Sequence, residues 1–156
     1  MYDEAYIEYL TNLLGTRDYF ECHEILEEHW KKELPLDRHS IWVAFIQLAV
    51  SLYHQRRGNM KGALRLITKS IHKFHLHENK IEHYGLDKEK LLQLLDTLKL
   101  KIENQQPYQS IFLPIKDQKL IKLVKAKCQQ LNCTFHGTSN LSDEYLVHKH
   151  IMRHRK

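Results

Sequence analysis

The stretch SIWVAFIQLAVSLYHQRRGNMKGALRLITKSIHKF, Ser40 to Phe74, decides how the rest of the chain is read. Its first half is apolar nearly all the way round at the helical period, the pattern of a helix buried at the centre of a bundle. Ser40 is placed to cap its start, and Arg56, Arg57 and Gly58 suit its end. Asn59 then caps a second helix with Met60, Ala63, Leu64, Ile67, Ile71 and Phe74 inward and Lys61, Arg65, Lys69 and Lys73 outward. A connection as short as Gly58–Asn59 implies an antiparallel helical hairpin. The remaining segments are expected to pack around that pair.

Outward from the hairpin, a first helix is expected from Asp3 to Leu14, with Tyr2, Tyr6, Tyr9, Leu10 and Leu13 on one side and Gly15 as its stop. The next begins at Asp18, where Asp18 and Glu21 have capping-box form, and ends before Pro35. A fifth helix, capped by Asp87, carries the stripe Leu91, Leu94, Leu95, Leu98 and Ile102. PYQSIFLPIK holds two prolines and reads as an extended strap pinned by Ile111, Phe112, Leu113 and Ile115. A sixth helix follows from Asp117 to Leu131, then a polar loop and the tail SDEYLVHKHIMRHRK. The fold class is all-α: a compact helical bundle of about five to seven helices with an extended C-terminal strap. The helical core is assigned to residues 1–105 and the C-terminal extension, packed on the same domain, to 106–156.

Composition agrees. With 156 residues the chain is long enough for one domain with a real core, and five glycines and three prolines leave room for long helices. No apolar run is long enough to cross a membrane, and the start MYDEAYIEYL is too acidic for a signal peptide. Three cysteines without regular spacing make no disulfide framework, so a cytoplasmic protein with reduced thiols is expected. The net charge of +5 is split, with residues 1–34 at −6 and the remainder at +11. Such a split can steer an anionic partner or pair the two ends internally.

A second stretch, YFECHEILEEHW (Tyr19–Trp30), raises the chemical question. Tyr19, Leu26, Trp30 and Leu34 share one helical face, with His23 between them, Glu27 near Leu34 and Phe20, and Glu24 at the margin. His23 and Glu27 are expected to be at least partly buried, and a buried carboxylate needs partners. Gln47, Ser51 and His54, at i, i+4 and i+7, form the only polar stripe on the hairpin's first helix, and Arg57 follows at its end. The expectation is that this stripe faces His23 and Glu27. Three readings of the seam stand: a structural polar network, which is preferred; a divalent-metal site of His23, Glu27 and His54; and an acid–base site using His23 with Glu27 or Glu24. The Glu-x-x-His pairs of a diiron bundle are absent from this stretch, and no cofactor is expected.

Other candidates are weaker. Cys128, Cys133 and His136 have irregular spacing for a zinc module, and Cys128 is expected to pack within the sixth helix. Cys22 is expected to be a buried, inert thiol. Lys149, Arg153, Arg155 and Lys156 are candidates for contacts to RNA or an acidic partner, but no nucleic-acid motif accompanies them. A solvated tail, or one docked on the acidic first helices, is the plainer reading, as a solvated face is for Lys61 to Lys73.

YFECHEILEEHW together with IQLAVSLYHQRRGNMKGALRL resembles the bacterial and archaeal family called domain of unknown function 309. The resemblance rests on Phe20, His23, Glu24, Leu26, Glu27 and Trp30, then on Gln47, Leu48, Ala49, His54, Arg57, Gly58, Asn59, Gly62 and Ala63. Cys22 stands where alanine is expected in the family. From about Pro107 the chain lies outside the core pattern, although IFLPI and VHKHIMRHR look like an extension found in some members. The resemblance implies a compact all-α fold and no established activity. The expected function is a non-enzymatic binding or scaffolding module that self-associates or meets a protein partner. A metal-dependent or acid–base enzyme is the alternative.

Overall fold

The hairpin forms as its capping groups dictate. In the computed structural model, which describes residues 2–137, 139 and 147–148, α3 spans Ile41–Arg56 and α4 spans Met60–Leu76. Ser40 Oγ accepts from the Trp42 amide (3.2 Å) and Asn59 Oδ1 from the Gly62 amide (3.1 Å), satisfying first-turn donors that a helix leaves open. Small residues let the two helices close on each other. Ser51 Oγ donates to the Ala63 carbonyl and Ser70 Oγ to the Ala44 carbonyl, each at 2.8 Å, and all four residues are buried. Ala63, Ile67 and Phe74 form the sealed part of the α4 stripe, with Met60, Leu64 and Ile71 half-buried. Lys61, Arg65 and Lys69 are exposed and Lys73 is half-buried.

α1 (Glu4–Thr11) lies against this pair through tyrosines, each combining an apolar ring with a polar tip that needs a partner when buried. Tyr9 donates to the Phe45 carbonyl (2.7 Å), Tyr6 to the Tyr84 carbonyl (2.6 Å) and Tyr2 to Asp117 Oδ2 (2.5 Å). One residue type thus ties α1 to three distant segments. Tyr6, Trp42, Phe45, Phe74 and Tyr84 meet mostly edge-to-face, with the contacting ring centroids 5.0–6.2 Å apart.

Gly15 is not the stop expected of it. The helix widens into a π-helical turn, Asn12–Thr16, and the chain reverses at Arg17, which adopts the left-handed conformation (φ 59°). A Cβ on Gly15 would fall 2.7 Å from Cys128 Sγ and 2.8 Å from Cys133 Sγ. Glycine is required there for close approach by the end of α6. α2 (Tyr19–Trp30) then starts as expected, with Asp18 Oδ1 accepting from the Glu21 amide at 3.1 Å.

After α4 a 3₁₀ segment, Glu78–Tyr84, leads to α5 (Lys88–Glu103), whose Leu91, Leu95, Leu98 and Ile102 are buried. The strap returns beside residues 85–87. Asp87 N donates to the Pro114 carbonyl (2.9 Å), Lys116 N donates to the Gly85 carbonyl (2.7 Å), and Leu86 and Ile115 form an isolated antiparallel bridge. Ile111 and Leu113 pin it, but Phe112, expected to help, is 63% exposed. Its neighbours on either side already occupy the inward positions, and alternation along an extended segment turns it out. α6 (Gln118–Gln130) packs on α1, where Lys127 Nζ meets Glu4 Oε1 at 2.7 Å. One contact between the basic and acidic parts of the chain is therefore internal. The described residues form an all-α bundle without a β-strand, and no helix among them is long and apolar enough to cross a membrane.

Arg17 joins the late segments to the early ones. Its side chain is fully buried and donates through Nε to the Gly137 carbonyl (2.8 Å) and through NH1 to the carbonyls of Leu13 (3.0 Å) and Ile111 (2.9 Å). Arg17→Met would strip these carbonyls of their donor. A loss of about 2–4 kcal/mol is expected in urea unfolding, because a buried acceptor left unpaired costs roughly 1–3 kcal/mol and part is offset by no longer burying a cation. Arg17→Lys should recover little, since one ammonium cannot reproduce a planar fork of donors.

Candidate functional site

α2 presents His23 one turn before Glu27, and His23 Nε2 lies 2.5 Å from Glu27 Oε2. The other carboxylate oxygen, Oε1, takes Lys31 Nζ at 2.9 Å. The imidazole and the carboxylate side chains are 30% and 31% exposed, so the pair sits at a margin rather than inside the core. The Lys31 ammonium, and after it His23, hold the Glu27 carboxyl below the ordinary glutamate range against the opposing effect of partial burial. Glu24 is exposed.

The facing stripe differs from expectation. Ser51 does not reach toward α2; it spends its hydroxyl on the Ala63 carbonyl of α4. Gln47 is half-buried, with Oε1 enclosed and without a hydrogen bond. His54 Nδ1 lies 3.4 Å from both Asn59 Nδ2 and Arg57 NH1, and the Arg57 guanidinium stands 5.7 Å from the Tyr53 ring centre. The reason is the hairpin. A three-residue connection, Arg57–Asn59, sets α4 directly on the α3 face that carries Ser51, so the partners of His23 come from its own helix. A Cβ on Gly62 would fall 2.7 Å from Asn59 Nδ2 and 3.2 Å from His54 Cδ2, so this corner admits only a glycine without displacement.

His23 and His54 do share one opening. Tyr19, Phe20 and His23 from α2, with Val50, Tyr53 and His54 from α3, line a cleft of about 180 Å³. The Phe20 ring centre lies 5.9 Å from the His23 ring. Chemically, the His23–Glu27 contact can hold a proton at the cleft's edge. Among the described residues no three His, Cys, Asp or Glu side chains converge as a metal ion would require, neither here nor at Cys128, Cys133 and His136. Burial, reinforced by Cys133, pushes the Cys128 thiol up to about 12, and burial likewise raises that of Cys22. His136 stacks on Phe135 (ring centres 4.1 Å apart). The candidates Lys149, Arg153, Arg155 and Lys156 lie outside the described residues.

A second polar centre escaped the sequence reading. Arg56 is buried, with its guanidinium 4.4 Å from the Tyr19 ring centre and NH1 donating to the Arg17 carbonyl at 2.6 Å. Tyr19 and Tyr108 share a short hydrogen bond between their hydroxyls, and Tyr108 also meets Ser139 Oγ at 2.7 Å. Burial, then Tyr108, pushes the Tyr19 phenol above its ordinary range. The missed signal was periodicity. The buried positions Leu48 and Leu52 continue at i+4 to Arg56, and Leu48 and Leu52 also share a side with Gln55. Arg56 therefore points inward and is more than a cation at the helix end. Nothing in the spacing marks Arg17.

Because the folded protein keeps Glu27 ionised to lower pH than the unfolded chain does, its contribution is complete above the ordinary glutamate range. It is lost as pH falls through that range toward the lower folded value. Glu27→Gln is expected to cost no more than about 1 kcal/mol at neutral pH, as for a half-exposed pair. The difference from wild type should shrink below about pH 4, as followed by chemical unfolding at stepped pH.

Comparison with known proteins gives the family. Residues 7–66, from α1 into the first half of α4, match the family described as domain of unknown function 309. The chain is 47% identical over 155 residues to "Uncharacterized protein YpuF" of Bacillus subtilis (strain 168), an alignment covering 99% of this chain and 89% of that one. No solved structure matched it. The relative aligns along nearly its whole length, through the strap and the last helix as well as the hairpin, and the chain belongs to the domain of unknown function 309 family.

Proposed function

We propose that the chain is a non-enzymatic, cytoplasmic scaffolding module that self-associates through one apolar end of its bundle. The observation that carries this reading is the exposure of Leu34 (94%), with Leu36 and Leu76 also exposed. Leu34 and Leu36 lie on the α2–α3 loop and Leu76 on the last turn of α4. His77 Nε2 lies 2.6 Å from the His39 carbonyl, which holds the loop against the end of α4. Exposed leucines gathered at one end are the usual mark of an interaction surface.

A second copy of the chain is the occupant that suits this surface. Around the leucines the loop carries both signs, with Lys32 and Arg38 beside Glu33 and Asp37. A mixed rim complements itself across a two-fold axis, where each patch meets its own copy. Three free thiols, Cys22, Cys128 and Cys133, support the cytoplasmic setting. The His23–Glu27 pair and the Asn59–His54–Arg57 corner support a packing role for the family residues, since each imidazole is engaged by its own neighbours.

Sedimentation equilibrium from micromolar to near-millimolar protein tests the reading. The wild type should show a reversible dimer, and Leu34→Glu combined with Leu76→Glu should be monomeric with an unchanged thermal unfolding midpoint. A wild type that stays monomeric over that range, or a dimer indifferent to both substitutions, would overturn it.

A further inference from the structure

The strap and α5 do not close on each other. Ile111 turns into the core, Leu98 forms the inner wall, and Leu94 and Phe112 stand at the sides of an open groove of about 570 Å³. That volume lies within the roughly 300–1,000 Å³ typical of small-molecule sites, and Leu94, Leu98, Ile111 and Phe112 give the groove an apolar side among otherwise polar lining residues. The groove is separate from the leucine-bearing end and from the His23 cleft.

Its polar groups divide sharply by whether their bonding is complete. Tyr108, Ser110 and Ser139 satisfy one another: Tyr108 OH lies 3.2 Å from Ser110 Oγ and 2.7 Å from Ser139 Oγ, and the Ser139 amide donates to Ser110 Oγ at 3.1 Å. Gln55, on the last turn of α3, is only 2% exposed and lines the same groove, yet its Oε1 is enclosed with no hydrogen bond. Native interiors seldom leave a carboxamide oxygen in that state, because the lost hydration is uncompensated. At the mouth Lys101 is held by Gln109 Oε1 (3.4 Å) and, among the described residues, forms no ion pair with a carboxylate. The groove thus offers an apolar channel, a buried acceptor awaiting a donor, and a cation at its rim.

We infer that this groove binds an amphipathic acyl amide with an anionic end, of which an N-acyl amino acid is the simplest form. The acyl chain lies along Leu94, Leu98, Ile111 and Phe112. The amide N–H donates to Gln55 Oε1, and the carboxylate is drawn toward Lys101. An uncharged alkane lacks the donor, a simple fatty acid carboxylate places no N–H within the chain, and a polar amino acid leaves the walls unfilled. The assignment is independent of self-association at the leucine end.

N-decanoylglycine and N-decanoylsarcosine, in which a methyl group replaces the amide hydrogen, are the probes, titrated calorimetrically into the full chain below their micellar concentrations. The glycine ligand should bind saturably at one site and about tenfold more tightly than the sarcosine ligand, the usual scale for one buried hydrogen bond. Gln55→Met should bring the two ligands to equal affinity. Lys101→Gln should weaken both severalfold while keeping the preference for glycine. Thr97→Trp, a change at an exposed rim position, should abolish binding of both. No saturable binding to the wild type, equal affinity of the wild type for the two ligands, a preference that survives Gln55→Met, or binding untouched by Thr97→Trp would each overturn the assignment. If Gln55→Met does not fold, as judged by circular dichroism, the wild-type preference and the Thr97→Trp result together decide whether the assignment stands or falls.

Discussion

A buried guanidinium holds the late part of this chain to the early part. Arg17 ends the first helix in a left-handed conformation and lies wholly inside the protein, where its fork reaches carbonyls at Leu13, Ile111 and Gly137. Desolvating a cation is expensive, and the cost is bearable only where several carbonyl dipoles point at it. Those dipoles come from segments about a hundred residues apart, so pairing Nε and NH1 fixes where the strap and the loop after α6 must sit, while NH2 is enclosed without a hydrogen bond. Arg56 extends the arrangement by donating to the Arg17 carbonyl while its guanidinium lies over Tyr19. The groove between α5 and the strap follows from this anchoring: Ile111 is drawn in by its carbonyl, and Phe112 is left outside.

The family residues take on a physical meaning in the hairpin. Asn59 caps α4, Gly62 leaves space for that cap and for the His54 ring, and Ala63 supplies the carbonyl that Ser51 bonds. These roles concern how closely two helices approach and at what angle. Hydroxyl-to-carbonyl bonds at Ser51 and Ser70 replace bulky side chains along the contact, and the interior remains hydrogen-bonded where the backbones are closest. His23 and Glu27 belong to a different layer. They are half-buried on the side of α2, paired with each other, and adjoin the aromatic cleft instead of running through the core.

Tyrosine accounts for much of the remaining cohesion. Tyr6 and Tyr9 on the inner side of α1, with Tyr2 just before it, deliver hydroxyls to the end of the 3₁₀ segment, the middle of α3 and the start of α6. Each contributes ring burial and a long-range hydrogen bond together, which a phenylalanine could not. These three tyrosines are therefore more informative than an aromatic count suggests. Tyr6 and Tyr9 tie α1 to backbone carbonyls of Tyr84 and Phe45, and Tyr2 ties the chain just before it to the Asp117 side chain.

The helices themselves are legible in the sequence because their causes are local. Ser40, Asn59, Asp18, Asp87 and Asp117 each cap the helix that follows, and the apolar periods of α4 and α5 select the faces that are buried. The hairpin and its family pattern follow from the short connection and the residues on either side. What only the tertiary structure decided was which polar groups meet. Ser51 turned to α4, Gly15 became a packing point against two cysteine sulfurs, and Arg17 and Gln55 proved to be interior residues. A hydrogen bond across the core depends on the relative placement of segments distant in sequence. Helical period and capping, which act over a few residues, carry no information about that placement.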